Sequence, residues 1–250
     1  MTRLSRTLAI VLRAIDYSET SQVVHLYTRE HGKLHCIAKG SKRAKSSFHG
    51  AFDLLGVYDV IRLEKQPGEL DLLTKAESVK EFRNVRRDFA RFSVACGFAE
   101  LVDEMTGEAL PQPDLFDLLH GGIRRLDEDG PIPETLFSFT ARALRILGFE
   151  PRLGECGVCG ARPPGTEAYF SARDGGIVCA RCVPRDPTRI LLTRPVFDAM
   201  TAYAAGKRFN LDSVPNLPKD LWRAFDYYLR HLLQGRPLKS MKSEEISNIF

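Results

Sequence analysis

Val23-Val24-His25-Leu26-Tyr27, Glu30-His31-Gly32-Lys33 and Leu34-His35-Cys36-Ile37-Ala38 read in succession as strand, turn and strand. Both apolar runs are short and alternating, and a Gly-containing turn separates them. The same pattern extends outward. Thr7-Leu8-Ala9-Ile10-Val11-Leu12 precedes the hairpin. Val57-Tyr58-Asp59-Val60-Ile61-Arg62 and Leu70-Asp71-Leu72-Leu73 follow it, parted by Gln66-Pro67-Gly68-Glu69. Five short strands with no long helix between them predict a small barrel, and an OB-type barrel is the economical choice at this length.

Around Glu81 the hydrophobic period changes from two to three and four. Phe82, Val85, Phe89, Phe92, Cys96 and Ala99 place one apolar stripe on a helix predicted to run to about Met105. A second helix is predicted from Asp114 to about Leu126, weakened by Gly121-Gly122 at about 1 kcal/mol each. Pro133-Glu134 opens a third, which Gly148 closes. Two more are predicted, from Arg194 to about Ala205 and from Pro218 to about Leu233, with Leu221, Phe225, Tyr228 and Leu232 on one face of the last. The fold class expected is α+β: an N-terminal OB-type β-barrel, then an all-helical domain with an inserted four-cysteine zinc module. The expected divisions are 1–80 for the barrel, 81–150 and 191–234 for the helical parts, 151–190 for the zinc module and 235–250 for a polar, loose tail.

The inserted module rests on Cys156-Gly157-Val158-Cys159 and Cys179-Ala180-Arg181-Cys182. Two Cys-x-x-Cys pairs at this separation suit four thiolates arranged tetrahedrally around one Zn²⁺. Gly157 and Gly160 would let backbone N–H groups approach the sulfurs. No His, Asp or Glu joins the set to suggest the open position of a hydrolytic zinc, so a structural ion, one per chain, is expected. The competing readings are disulfides or a redox pair, but a redox Cys-x-x-Cys normally follows a strand of a βαβ unit. The apolar run Leu8 to Leu12 is too short to span a membrane and reads as a strand, not a signal peptide. A cytoplasmic chain with reduced thiols is therefore expected. Cys36 and Cys96 sit in apolar segments and read as small buried hydrophobes.

At 250 residues and 44% hydrophobic content the chain has the composition of a folded globular protein. The net charge of +4 says little, but its distribution says more. From Met1 to His49 the bases Arg3, Arg6, Arg13, Arg29, Lys33, Lys39, Lys42, Arg43 and Lys45 face only Asp16, Glu19 and Glu30. Lys39-Gly40-Ser41-Lys42-Arg43-Ala44-Lys45-Ser46-Ser47 forms a basic loop after a barrel strand, where OB folds engage single strands. The alternative is a solvated charged loop. Arg83, Arg87 and Arg91, spaced by four, could extend a phosphate path or simply form a solvated face. Tyr17, Tyr27, Phe48 and Phe52 are the aromatic groups that could stack bases, each with a core role as its alternative. His25, His31 and His35 are expected to act separately, and Asp103-Glu104 and Asp127-Glu128-Asp129 to be solvated acids at helix ends. No nucleophile with a base, paired carboxylates or phosphate-cradling glycine loop is convincing, so no enzymatic activity and no small-molecule substrate are expected.

The order of parts resembles the bacterial recombination mediator RecO family. The resemblance is carried by Leu34 to Lys45, Phe82 to Glu104, Arg145-Ile146-Leu147-Gly148-Phe149-Glu150-Pro151, the Cys-x-x-Cys-Gly knuckle, Phe170-Ser171 to Gly175-Gly176-Ile177-Val178-Cys179, and Leu238-Lys239-Ser240. It implies a protein that binds single- and double-stranded DNA and anneals complementary strands. It further implies work with RecR to load the recombinase RecA onto DNA coated by single-strand-binding protein, without a nucleotide cofactor. The resemblance also implies docking of that protein's acidic, hydrophobic C-terminal tail on the helical domain, for which Trp222, Arg223 and Arg230 are candidates. Met241-Lys242-Ser243-Glu244-Glu245 departs from the more basic and aromatic ending of the family. A zinc-bearing OB-fold RNA-binding factor is the alternative function, and a nuclease or thiol oxidoreductase a third.

Overall fold

The computed structural model describes residues 3–43, 45, 46, 48, 50, 52–66, 68–162, 168–183 and 188–241. The chain divides into two compact units, Met1–Gly130 and Pro131–Phe250. The division falls inside the predicted helical segment 81–150, because the first three helices belong to the unit of the barrel.

In the first unit, strands β1 (Leu4–Asp16), β2 (Gln22–Thr28), β3 (Gly32–Ala38), β4 (Val57–Leu63) and β5 (Asp71–Lys80) close a barrel in the order β1-β2-β3-β5-β4. β3 and β5 pair in parallel and the other neighbours are antiparallel. This is the five-stranded OB arrangement. Closure depends on the length of β1, whose first half pairs with β4 and whose second half pairs with β2. A bulge between Val11 and Arg13 bends it between the two partners. Alternation then does what the sequence pattern requires: Val24, Leu26, Leu34, Cys36, Ala38, Tyr58 and Val60 point into one core. Phe48 and Phe52 plug it, with the Phe52 ring 5.0 Å from that of Tyr58.

The helix predicted from Phe82 to Met105 is broken. α1 (Arg83–Arg87) and α2 (Phe89–Met105) meet at Asp88, which is extended and caps α2 by accepting from Arg91 N–H at 3.0 Å. The apolar stripe therefore does not continue across the junction, and Phe89 is 72% exposed. α3 (Pro113–Asp127) packs on α2 and α1. Asp127 is not the solvated acid expected: it is buried and accepts from Asn84 and Val85 N–H at 2.9 and 3.2 Å.

In the second unit α4 (Ile132–Ile146), α5 (Arg194–Ala204) and α6 (Leu217–Leu232) pack together, with Phe137 against Tyr203 and Phe225. Gly148, at φ +81°, closes α4, and Phe149 N–H reaches back to Leu144 O at 2.7 Å. Between α4 and α5 lies a three-stranded sheet, order β7-β6-β8, made of β6 (Ala168–Ser171), β7 (Gly176–Val178) and β8 (Ile190–Leu192). Phe170 anchors it against Tyr227 and Tyr228 of α6. The expected loose tail is docked at its start, where Leu238 and Met241 are buried. The rest of the predicted tail lies outside the described residues.

Candidate functional site

The basic loop leaves β3 and folds over the turn between β1 and β2. Gly40, at φ +74°, reverses the chain; its N–H donates to Ser21 Oγ at 3.1 Å, and Lys42 N–H donates to Thr20 O at 3.0 Å. Ser41 Oγ and Phe52 N–H both donate to Gln22 Oε1, which ties the loop to the barrel from below. The result is an open cleft of about 280 Å³ lined by Tyr17, Ser18, Ser21, Ile37, Lys39, Gly40 and Arg43. Lys39, Lys42, Arg43 and Lys45 are all exposed. Lys42 is matched by Asp16, with Nζ 2.6 Å from Oδ2; Lys39, Arg43 and Lys45 have no ion pair among the described residues. Ala44 and Ser47 of the predicted loop lie outside the described residues.

Of the four aromatic groups considered for stacking, Tyr27, Phe48 and Phe52 are core residues. Alternation puts Tyr27 on the outer face of β2 with His25, where it is nonetheless fully buried, and burial pushes its phenol up to about 12. Tyr17 is 67% exposed and lines the cleft beside Lys39 and Arg43.

Arg83, Arg87 and Arg91 do not form one ridge, because the helix breaks at Asp88. Arg83 is exposed beside Glu81, at 3.2 Å, and Arg87 is exposed. Arg91 turns inward: its Nη1 donates to Leu126 O and Gly130 O at 2.9 and 2.8 Å, closing the end of α3. Asp88 and Asp129 flank its guanidinium at 3.7 and 3.6 Å.

The four cysteines of the two knuckles converge. One sulfur from each of Cys156, Cys159, Cys179 and Cys182 lies within 4.8 Å of every other, so the cluster could hold a metal ion. Short-range backbone bonds shape each knuckle: Gly160 N–H donates to Cys156 O at 2.9 Å and Cys182 N–H to Cys179 O at 2.9 Å. Backbone N–H groups do approach a sulfur, that of Cys179 reaching Cys156 Sγ at 3.4 Å, while Gly157 N–H donates to Ile177 O at 2.8 Å. A Cβ there would lie 2.6 Å from Asp174 O, and one at Gly176 would lie 2.2 Å from Arg152 O, so both close approaches require glycine. They hold the first knuckle against β7, which delivers the second. Burial pushes the Cys156 thiol up, but N–H groups of Cys179, Cys159 and Val158 outweigh this and bring it down to about 6. Cys182, desolvated and facing the other sulfurs, is pushed up to about 12. Sulfurs this close can all ionise only with a cation between them. By contrast Cys36 and Cys96 are apolar fillers, pushed by burial up to about 12 and about 11.

The partner face predicted on α6 is only partly available. Trp222 is buried, and Arg230 is held by Asp226 at 2.7 Å. Arg223 is exposed and, with Ile190, Leu191, Val196 and Asp220, lines a cleft of about 300 Å³ between β8 and the helices. Leu191 could not be picked out from the sequence, because a strand of three residues is too short to display a period.

An OB-type barrel with a basic loop over its β1–β2 turn, followed by helices that carry a four-cysteine module, defines a class of OB-fold proteins with a cysteine-cluster insertion. Family models place the chain within that class: Recombination protein O N terminal matches residues 1–82 and Recombination protein O C terminal matches residues 86–242. The chain belongs to the RecO family. Relatives named DNA repair protein RecO include that of Rhodopirellula baltica, 34% identical over 79% of this chain and 74% of the relative. That of Bacillus pumilus is 30% identical over 93% and 90%, and that of Geobacter metallireducens 37% identical over 71% and 72%. Family membership supports a role in DNA repair. No described helix is long and apolar enough to cross a membrane.

Proposed function

We propose that this chain binds single- and double-stranded DNA at the barrel, anneals complementary strands, and helps load recombinase onto DNA coated with single-strand-binding protein, acting with RecR. The observation that carries the reading is the cleft in which Tyr17, Lys39 and Arg43 stand together, open and without carboxylate partners among the described residues. A phenol ring beside two unmatched cations is what a flexible strand needs: a stacking platform and phosphate contacts. Lys45 and Lys42 extend the positive surface, and Arg83 and Arg87 add to it on α1; Arg91 is committed to closing α3. Holding two strands by their phosphates lowers their repulsion and leaves the bases free to pair, so annealing follows from binding and requires no bond chemistry. Such a protein works in the cytoplasm, at the nucleoid.

Cys156, Cys159, Cys179 and Cys182 would hold one Zn²⁺ in a structural role. Sulfurs bound at about 2.3 Å in a tetrahedron stand about 3.8 Å apart, and Cys159 and Cys179 are separated by 3.8 Å. The ion would supply charge compensation and a crosslink between the knuckles. For the tail of single-strand-binding protein, the cleft holding Arg223 and Leu191 offers a cation beside an apolar wall, whereas Trp222 is buried and Arg230 is paired with Asp226.

The test is annealing of labelled complementary oligonucleotides, naked and coated with the cognate single-strand-binding protein, with the chain added and no nucleotide. Acceleration of both is expected. No acceleration of either, with tighter binding of matched RNA, would replace this reading by the RNA-binding one.

A further inference from the structure

We propose that His25, His35 and Asp103 form a second site, separate from the cysteine cluster, that binds a divalent transition-metal ion of the zinc class. His25 and His35 stand directly opposite each other in the β2–β3 register, and their rings lie 4.0 Å apart between centroids, tilted by 31°. Alternation sends Val24, Leu26, Leu34 and Cys36 into the barrel, so both imidazoles project from its outer wall. α2 covers that wall and contributes Asp103, whose Oδ2 is 3.4 Å from His25 Nδ1. One donor atom from each of the three residues lies within 4.8 Å of the others.

The tautomer of His35 is set by its surroundings. Its Nδ1 is 2.8 Å from Glu108 Oε1, a contact that favours the proton on this nitrogen and so leaves the lone pair on Nε2. Nε2 is buried and has no hydrogen-bond partner among the described residues. A carboxylate behind an imidazole, with the far nitrogen free and a second imidazole and a second carboxylate close to the ring, is an arrangement by which proteins orient histidine toward a metal. Two imidazoles and a carboxylate suit zinc and its neighbours and leave positions for water.

Lys33 is the competitor built into the same place. Its Nζ is 3.4 Å from Asp103 Oδ1 and donates to Asp103 O. The charged groups facing the two histidines are thus Lys33, Asp103 and Glu108, and an added dication must share Asp103 with the ammonium.

The experiment is equilibrium binding of Co²⁺ to the full chain already loaded with zinc at the cysteines, followed by elemental analysis and absorption spectroscopy. A cobalt equivalent beyond the zinc is expected, without a sulfur-to-cobalt charge-transfer band. His35→Gln and Asp103→Asn, which preserve volume, should each weaken it at least about tenfold, whereas Lys33→Met should tighten it. Absence of that equivalent in folded parent and Lys33→Met chains, or an equivalent unchanged by His35→Gln and Asp103→Asn, would overturn the proposal.

Discussion

Lys42 Nζ lies 2.6 Å from Asp16 Oδ2, bridging the basic loop to the end of β1. The four cations of that loop are therefore unequal. Exposed ion pairs contribute about 0–1 kcal/mol to stability, but a carboxylate at contact distance offsets the field that a phosphate would feel. Lys39, Arg43 and Lys45 supply the remaining positive charge, and two of them line the cleft with Tyr17.

Reversing Lys39 and Arg43 together to Glu should weaken oligonucleotide binding and flatten its dependence on salt. Each phosphate that a single strand no longer has neutralised lowers the slope of log K against log salt by about 0.7. The double variant should lose about 1.4 if each residue neutralises one phosphate. Lys42→Ala should have a smaller effect than Lys39→Ala. Equal losses from both alanine variants would mean that the Asp16 pair opens on binding.

Arg91→Ala should cost stability and leave the salt slope unchanged. It removes the donor shared by Leu126 O and Gly130 O, and orphaned carbonyls of this kind cost about 1–3 kcal/mol. Urea unfolding measures the first effect and oligonucleotide titration the second. A variant of parental stability with weakened DNA binding would return Arg91 to the nucleic-acid surface.

The contrast between Lys39 and Arg91 indicates what the sequence can disclose. β1 to β4 were legible because alternation is a local property that burial on one face enforces, whereas only the start of β5 was, since its burial from Thr74 to Lys80 does not alternate. The loop after β3 was legible for the same reason, since small and basic residues between strands have few ways to be buried. The break at Asp88 was not, because an apolar stripe continues in sequence whether or not the backbone does. Arg91 could not be assigned without Leu126 and Gly130, which lie far along the chain. The two cysteine knuckles declared themselves through spacing, yet β6, β7 and β8 that position them are too short to show a period. His25 and His35 were each visible, but their pairing follows from hairpin register and their third neighbour, Asp103, comes from a helix beyond the barrel.

His120 makes stability depend on pH. It lies 6.0 Å from the Phe82 ring and is stacked on Phe116, and burial, then Arg124, holds it below its ordinary 6.5. The folded state thus favours neutral imidazole, while the unfolded chain takes up a proton as pH falls through 6.5. The contribution is fully present above that value and is lost as pH drops toward the folded-state titration. His35 shifts in the same direction, so the comparison must isolate His120. His120→Gln should narrow its stability deficit against the parent between about pH 7.5 and pH 5. A deficit constant across that range would show that the imidazole titrates alike in both states.

Removing one sulfur from the cysteine cluster should release the metal and loosen the module without abolishing binding of naked DNA. Cys156 is the most informative position, because its sulfur also accepts from Cys179 N–H at 3.4 Å and so joins the two knuckles even before metal is counted. Its buried neighbours are Val178, Cys179 and Val183, with Tyr169 packed alongside, a cluster too small to hold the segment by apolar burial alone. Metal retention by Cys156→Ser should fall more than about 100-fold, equivalent to about 2.8 kcal/mol. Proteolysis should then cut first within 151–190. The barrel has its own core, built from residues between Ala9 and Ala76, and should continue to bind naked oligonucleotides. Elemental analysis, limited proteolysis and oligonucleotide titration separate these effects. A parent chain that holds no zinc, with Cys156→Ser equally stable, would remove the metal from the account of the module.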